Sequence, residues 1–238
     1  MEFKELIDIC INRKKTVCFV GGGGKSTLMN LVAAEGARQG KKVIVSTTTH
    51  IMKPEINYAS NMDEVEALWA NGQYAVIGAI DEKNEQKLIF SNEMYVAVKG
   101  KADLILLEAD GSKRLPCKVP AEHEPVITAD CDLVIGVMGM TALGQPTKEC
   151  CFRFEQEGAW LGRDGDSLLD EEIAVDILSS ELGTRKSVGS RDYVVVLNQC
   201  DDESVSSRAH IISAKLKEMY GIDSVCCSLK AEMQSKIV

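Results

Sequence analysis

Four consecutive glycines, Gly21 to Gly24, stand directly ahead of Lys25, Ser26 and Thr27. Residues of these types at this spacing can bind phosphate. Glycine lets the backbone wrap closely around an anion and aim N–H groups at it. A helix starting at Lys25 would add the partial positive charge of its N-terminus. Lys25 can then reach β- and γ-phosphates, and the Ser26 hydroxyl can ligate Mg²⁺. A strict G-x-x-x-x-G-K-[ST] loop would carry glycine at position 19, where this chain has Phe19. The run instead matches the G-G-x-G-K-[ST] core of a variant loop. That variant usually carries a lysine just before its first glycine, where Val20 stands here.

Such a loop needs a carboxylate at the end of a neighbouring strand to hold Mg²⁺. Leu104 to Leu107 runs directly into Glu108-Ala109-Asp110. Alternation along an extended chain lets both acids face the phosphates. The reading adopted is Asp110 on the metal with Ser26, and Glu108 outside it or orienting water. Ser46-Thr47-Thr48-Thr49-His50 follows another apolar run. Its hydroxyls, Thr47 and Thr48 in particular, are candidates for a γ-phosphate or the metal shell. Asn198-Gln199-Cys200-Asp201 resembles the guanine-reading N-K-x-D, with glutamine in place of lysine. Asn198 and Asp201 are therefore candidates for the base, and ATP and GTP both stay open.

The elements that must position these residues follow a strand–loop–helix rhythm. Apolar runs occur at 16–20, 43–45, 75–77, 104–107, 133–137 and 193–197. They are apolar at consecutive positions, as expected of strands covered on both faces. Leu28, Leu31 and Val32 recur at helical spacing after the glycines. Ser167-Leu168-Leu169-Asp170 has capping-box-like spacing for a helix with Leu169, Ile173 and Ile177 inward. A further helix is expected from about Glu203 to Met219, with Ala209, Ile212, Leu216 and Met219 inward. The expected fold is α/β, a three-layer P-loop NTPase-like arrangement around a mainly parallel sheet. We expect a single domain over 1–238, with an elaborated loop at about 111–127 and a helical insertion at about 140–185.

The 238 residues include 27 basic and 36 acidic ones, a formal charge of −9. That balance argues against nucleic acid or an anionic membrane as partner. No apolar run resembles a signal peptide or a membrane span, so the chain reads as cytoplasmic. Its nine cysteines include no C-x-x-C. They read as small buried hydrophobes, with Cys117 the one expected to be exposed.

The run from Glu108 to Ile127, E-A-D-G-S-K-R-L-P-C-K-V-P-A-E-H-E-P-V-I, joins the glycine loop and Thr47 to Thr49 in a wider pattern. Together they resemble the YqeC family. That is a bacterial family of accessory proteins linked to the labile selenium cofactor of selenium-dependent molybdenum hydroxylases. The resemblance covers most of the chain and implies a P-loop nucleotide-binding fold and a role in maturing such hydroxylases. Gly21 to Thr27 match its phosphate loop; Glu108, Asp110, Gly111, Pro120, His123, Glu124 and Pro125 match its signature. Cys117 departs from the pattern, which has an aliphatic residue there, so a selenium-carrying thiol is not implied.

From the residues themselves, Lys113, Arg114, Lys118 and His123 form a basic loop beside the expected metal site. It can grip a phosphate or an anionic second substrate. His123 is an acid–base group, a metal ligand or a loop anchor. The resulting expectation is a Mg²⁺-dependent NTP-binding accessory protein, acting as an NTPase or NTP-dependent transferase. Lys25, Glu108, Asp110 and His123 would be its catalytic groups, and Arg114 would help to bind nucleotide. The hydroxylase or its maturation factors would be its partners. The alternatives are a nucleotide-sensing adaptor and a small-metabolite kinase or synthetase.

Overall fold

The computed structural model describes residues 1–235. Helices α1 (Phe3–Arg13) and α2 (Lys25–Arg38) bracket strand β1 (Thr16–Gly21), and β2 (Val43–Thr47) follows. Next come β3 (His50–Met52), β4 (Tyr58–Ala59), α3 (Met62–Ala70), β5 (Ala75–Ile77), β6 (Ala79–Asp81), β7 (Asn84–Ile89) and α4 (Asn92–Lys99). The central segment contains β8 (Leu104–Glu108), β9 (Cys117–Lys118) and β10 (Leu133–Gly139). After it lie the short helices α5 (Thr147–Cys150) and α6 (Phe154–Glu157), with β11 (Cys151–Phe152) between them. Then α7 (Glu171–Ser179), β12 (Asp192–Asn198), α8 (Glu203–Tyr220), β13 (Asp223–Cys226) and α9 (Leu229–Ser235) complete the described chain.

Among the described residues eight strands form one sheet in the order β13-β12-β10-β1-β8-β2-β5-β4. Every pairing in it is parallel. Side chains alternate across it. Val17 and Phe19 of β1 pack with α1, α2 and Leu229 of α9 on one face. Cys18 and Val20 pack on the other face with residues of α3 and α4. That second face is continued beside β12 by α7 and α8. The expected three-layer α/β fold with a parallel sheet is observed. All six apolar runs are strands, and each is buried because helices cover both sides.

Topology explains where chemistry can occur. The chain leaves β1 through α2 for β2, returns to β8 beside β1, then crosses β1 to reach β10. Strand order reverses there, and such reversals open a crevice beyond the strands' carboxyl ends. Gly21, Thr47, Glu108, Gly139 and Asn198 all end their strands at that edge. Over it stands a separate antiparallel sheet, β3-β7-β6.

Three local expectations are corrected. Helix α7 starts at Glu171, capped by the Asp170 carboxylate accepting from the Ile173 N–H, so Ser167 is not its cap. Ser167 instead donates to Asp164 Oδ1 at 2.9 Å. Met219, in the last turn of α8, is exposed, while Ala209, Ile212 and Leu216 are buried as expected. Asp202 caps α8, its carboxylate accepting from the Val205 N–H. Cys117 is wholly buried, since β9 pairs with β11 and places it beside Cys151.

Candidate functional site

A cavity of about 620 Å³ opens at the carboxyl edge of the sheet. Its floor is Gly23 to Thr27, its walls include Glu108 and the segment Gly111 to Arg114, and β3, β6 and β7 supply His50, Ile51, Met52, Asp81 and Lys87. Glycine is required where the loop passes other backbone. A Cβ on Gly23, whose φ is +78°, would lie 2.2 Å from the Gly139 nitrogen. One on Gly24, φ +128°, would lie 2.4 Å from Asn198 Nδ2.

The loop's first amides are already bonded within the protein. Gly21 donates to Asp110, Gly22 to the Val137 carbonyl at 2.8 Å, and Gly23 to the Leu115 carbonyl at 3.1 Å. The donors left to face an anion are the amides of the first turn of α2. That helix starts at Lys25, and no side chain caps it. An anion at such a terminus gains about 0.3–2 kcal/mol from the helix dipole.

Lys25 is buried and folds back into the loop. Its ammonium donates to the Gly21 carbonyl and lies 3.2 Å from Asp110 Oδ1. Asp110 is 2% exposed and does not line the cavity. Its second oxygen lies 3.3 Å from Lys118 Nζ. Lys118 has no exposure, donates to the Gly111 carbonyl at 2.6 Å and lies 2.6 Å from Glu124 Oε2. Glu124 also accepts from Arg153 Nη1. The buried chain Lys25–Asp110–Lys118–Glu124–Arg153 therefore ties the phosphate loop to the 111–127 loop. Each ion has a partner, which burial at this depth requires.

Glu108, by contrast, faces the cavity beside the helix terminus. Ser26 Oγ donates to its Oε2 at 2.8 Å. Burial pushes the Glu108 carboxyl above its ordinary range, against the pull of Lys25 and of the Ser26 hydroxyl. Oxygen donors of this kind suit Mg²⁺. Among the described residues no group of three or more His, Cys, Asp or Glu side chains is placed to hold a metal ion by itself. An ion at Ser26 and Glu108 would complete its shell from phosphate and water.

The threonine run divides. Thr47 is buried and donates to the Glu108 carbonyl at 3.0 Å, holding β2 to β8. Thr48 donates to the Val126 carbonyl at 2.8 Å. Thr49 lines the cavity. His123 is exposed in a turn and does not line the cavity; Arg114 does.

A second cavity of about 450 Å³ adjoins the first through Gly24, Thr27 and Gln199. Asn198, Asp201 and Leu229 also line it. Asn198 donates to the Gly23 carbonyl at 2.7 Å and accepts from the Leu229 N–H at 3.0 Å, so it braces the glycine loop. Asp201 accepts from the Ser228 hydroxyl.

Sequence reasoning missed Glu124 and Arg153 as partners of the central chain of charges, and Phe152, Asp81 and Lys87 as cavity walls. An acid within the 111–127 loop and an arginine beside the aromatic Phe152 were the available signals. Their pairing spans 29 positions and is visible only in the fold.

A sequence model of the YqeC protein family matches residues 17–155, more than half of the chain. The match spans the glycine loop, Glu108 and the buried ion chain from Lys25 to Arg153. Over 224 residues the chain is 28% identical to a protein of Escherichia coli (strain K12) named "Uncharacterized protein YqeC", covering 85% of this chain and 84% of that one.

Proposed function

The chain belongs to the YqeC family, and from that premise we propose that it binds a nucleoside triphosphate with Mg²⁺ and acts as an NTPase or NTP-dependent transferase. The observation carrying this reading is the 2.8 Å contact between Ser26 Oγ and Glu108 Oε2 beside the uncapped start of α2. It joins a helix-terminal hydroxyl to a strand-end carboxylate, the pair a phosphate-bound Mg²⁺ uses. Glu108 thus takes the metal-side role, and Asp110 holds the loop and Lys25.

In this account the amides of Gly24 to Thr27 receive phosphate oxygens, and Lys25 leaves Asp110 to reach them. Bound Mg²⁺ supplies charge neutralisation on the β- and γ-oxygens. Asp110 keeps Gly21 and Lys118 as partners when Lys25 moves. The base occupies the adjoining 450 Å³ cavity, with Asp201 offered to its N–H groups. The biological setting we assign is maturation of selenium-dependent molybdenum hydroxylases, following the family resemblance.

One observation favours an adaptor as the second reading. Leu115, Pro116 and Lys118 hold the 111–127 loop directly on the phosphate loop and Gly139. Nucleotide binding would therefore shift a surface loop that a partner could read.

Calorimetry with ATP and GTP, with and without Mg²⁺, tests binding, and phosphate release tests turnover. Mg²⁺-dependent binding with turnover supports the enzyme. Binding without turnover, and with partner affinity differing between NTP and NDP forms, supports the adaptor.

A further inference from the structure

The cavity is larger and more basic than a phosphate loop alone needs. Lys25, Lys87, Lys113, Arg114 and Arg153 line it against Asp81, Glu108 and Glu124. A basic excess is thus gathered at one place in a chain whose formal charge is −9. Lys118 and Arg153 both sit on Glu124. Lys113 and Arg114 take part in none of the ion pairs found among the described residues. The Lys113 ammonium instead lies 5.0 Å from the Phe152 ring centre, and the Arg153 guanidinium 4.8 Å from it. Like charges gathered on one ring repel each other until an anion arrives.

The backbone supports the same point independently. Among the described residues six non-glycine residues have left-handed φ, and four of them line this cavity: Lys113, Arg114, Arg153 and Gln199. Long side chains adopt that conformation at a cost, and such residues cluster where a ligand is held.

We infer that Lys113, Arg114 and Arg153 form a second anion subsite, separate from the phosphate loop, for a phosphorylated or polycarboxylate substrate. Phe152 spaces the cations, and Glu124 fixes Arg153 so that its fork is aimed before the ligand binds. With cations already packed on Phe152, recognition is of charge rather than of stacking. The inference rests on the nucleotide reading for the subsite's role, since it places an anionic co-substrate in the same cavity as the γ-phosphate.

The test titrates pyrophosphate in the absence of metal, by calorimetry, into wild-type, Lys25→Met and Lys113→Gln/Arg114→Gln proteins. Thermal melting of each variant verifies folding. Pyrophosphate should still bind the Lys25→Met protein, and the double substitution should weaken it by about tenfold or more. Wild-type protein loaded with a β,γ-methylene NTP and Mg²⁺ should also still bind it. Three outcomes overturn the subsite: no pyrophosphate binding; binding lost with Lys25→Met but kept in the double variant; or exclusion of pyrophosphate by the loaded nucleotide. If the NTP analogue fails to bind while pyrophosphate binds through Arg114, the nucleotide reading falls and the subsite stands.

Discussion

The ammonium of Lys25 lies 3.2 Å from Asp110 Oδ1, with both side chains almost wholly out of solvent. The lysine that a phosphate loop would extend toward its ligand is here held inside the loop. Lys118, 3.3 Å from the other Asp110 oxygen, makes its release feasible. Without that second cation, moving Lys25 would leave a buried carboxylate paired only with a backbone amide.

Lys118→Met should therefore be more destabilising than Lys25→Met. The first leaves Asp110 and Glu124 short of a buried cation, and losses of about 3–5 kcal/mol are typical when such a partner is removed. After the second, Asp110 retains Lys118 and the Gly21 amide. Urea denaturation of both variants measures the difference, and equal midpoints would contradict this division of roles.

Glu108→Gln should raise stability at neutral pH and abolish Mg²⁺-dependent binding. Burial raises the folded-state pKa of Glu108. Its favourable contribution is present below the unfolded pKa and lost as pH rises through the raised folded value. An amide, which never ionises, escapes that loss and can still accept from Ser26. Wild-type affinity for Mg·NTP should fall on acidification at a higher pH than an ordinary carboxylate would give. Melting curves and calorimetry from about pH 4 to about pH 8, upward from the ordinary carboxylate range, check both effects.

Much of the fold was legible because parallel strands covered on both faces must be apolar at successive positions. Leu104 to Leu107 and Leu133 to Val137 show this plainly. Strand β7 was not legible, since Asn84 to Lys87 are polar residues of a small sheet open to solvent. The glycine loop and Glu108 were readable from local spacing. Lys118 read as part of a basic loop that grips an anion, but it is buried between Asp110 and Glu124, and the Arg153 that also holds Glu124 lies 29 positions on. Cys117 was misread for a similar reason: its partner strand β11 lies more than thirty positions on.

The thiols of Cys117 and Cys150 should resist iodoacetamide in the native protein. Cys117 has no exposure, and burial raises its pKa well above the ordinary thiol value. Burial likewise pushes the Cys150 thiol up to about 12. Thiolate, not thiol, is the nucleophile, so both sites should be alkylated only after unfolding. Peptide mass spectrometry after labelling with and without urea reads this directly.

Asp201→Ala should remove any preference for GTP over ATP. A carboxylate aimed at guanine N–H groups distinguishes the bases by about tenfold or more, roughly 1.4 kcal/mol. Asn198→Ala should act differently. By loosening Gly23 and the Leu229 amide, it should weaken both nucleotides together. Competition binding with the two nucleotides separates these patterns.

The central claim is tested most directly by calorimetric titration of Mg·GTP and Mg·ATP into wild-type and Lys25→Met proteins. The account predicts Mg²⁺-dependent binding of at least one nucleotide to the wild type, weakened by about tenfold or more in the variant, as loss of a charge-assisted phosphate contact implies. Equal affinity in the two proteins, or no binding to the wild type, would contradict it.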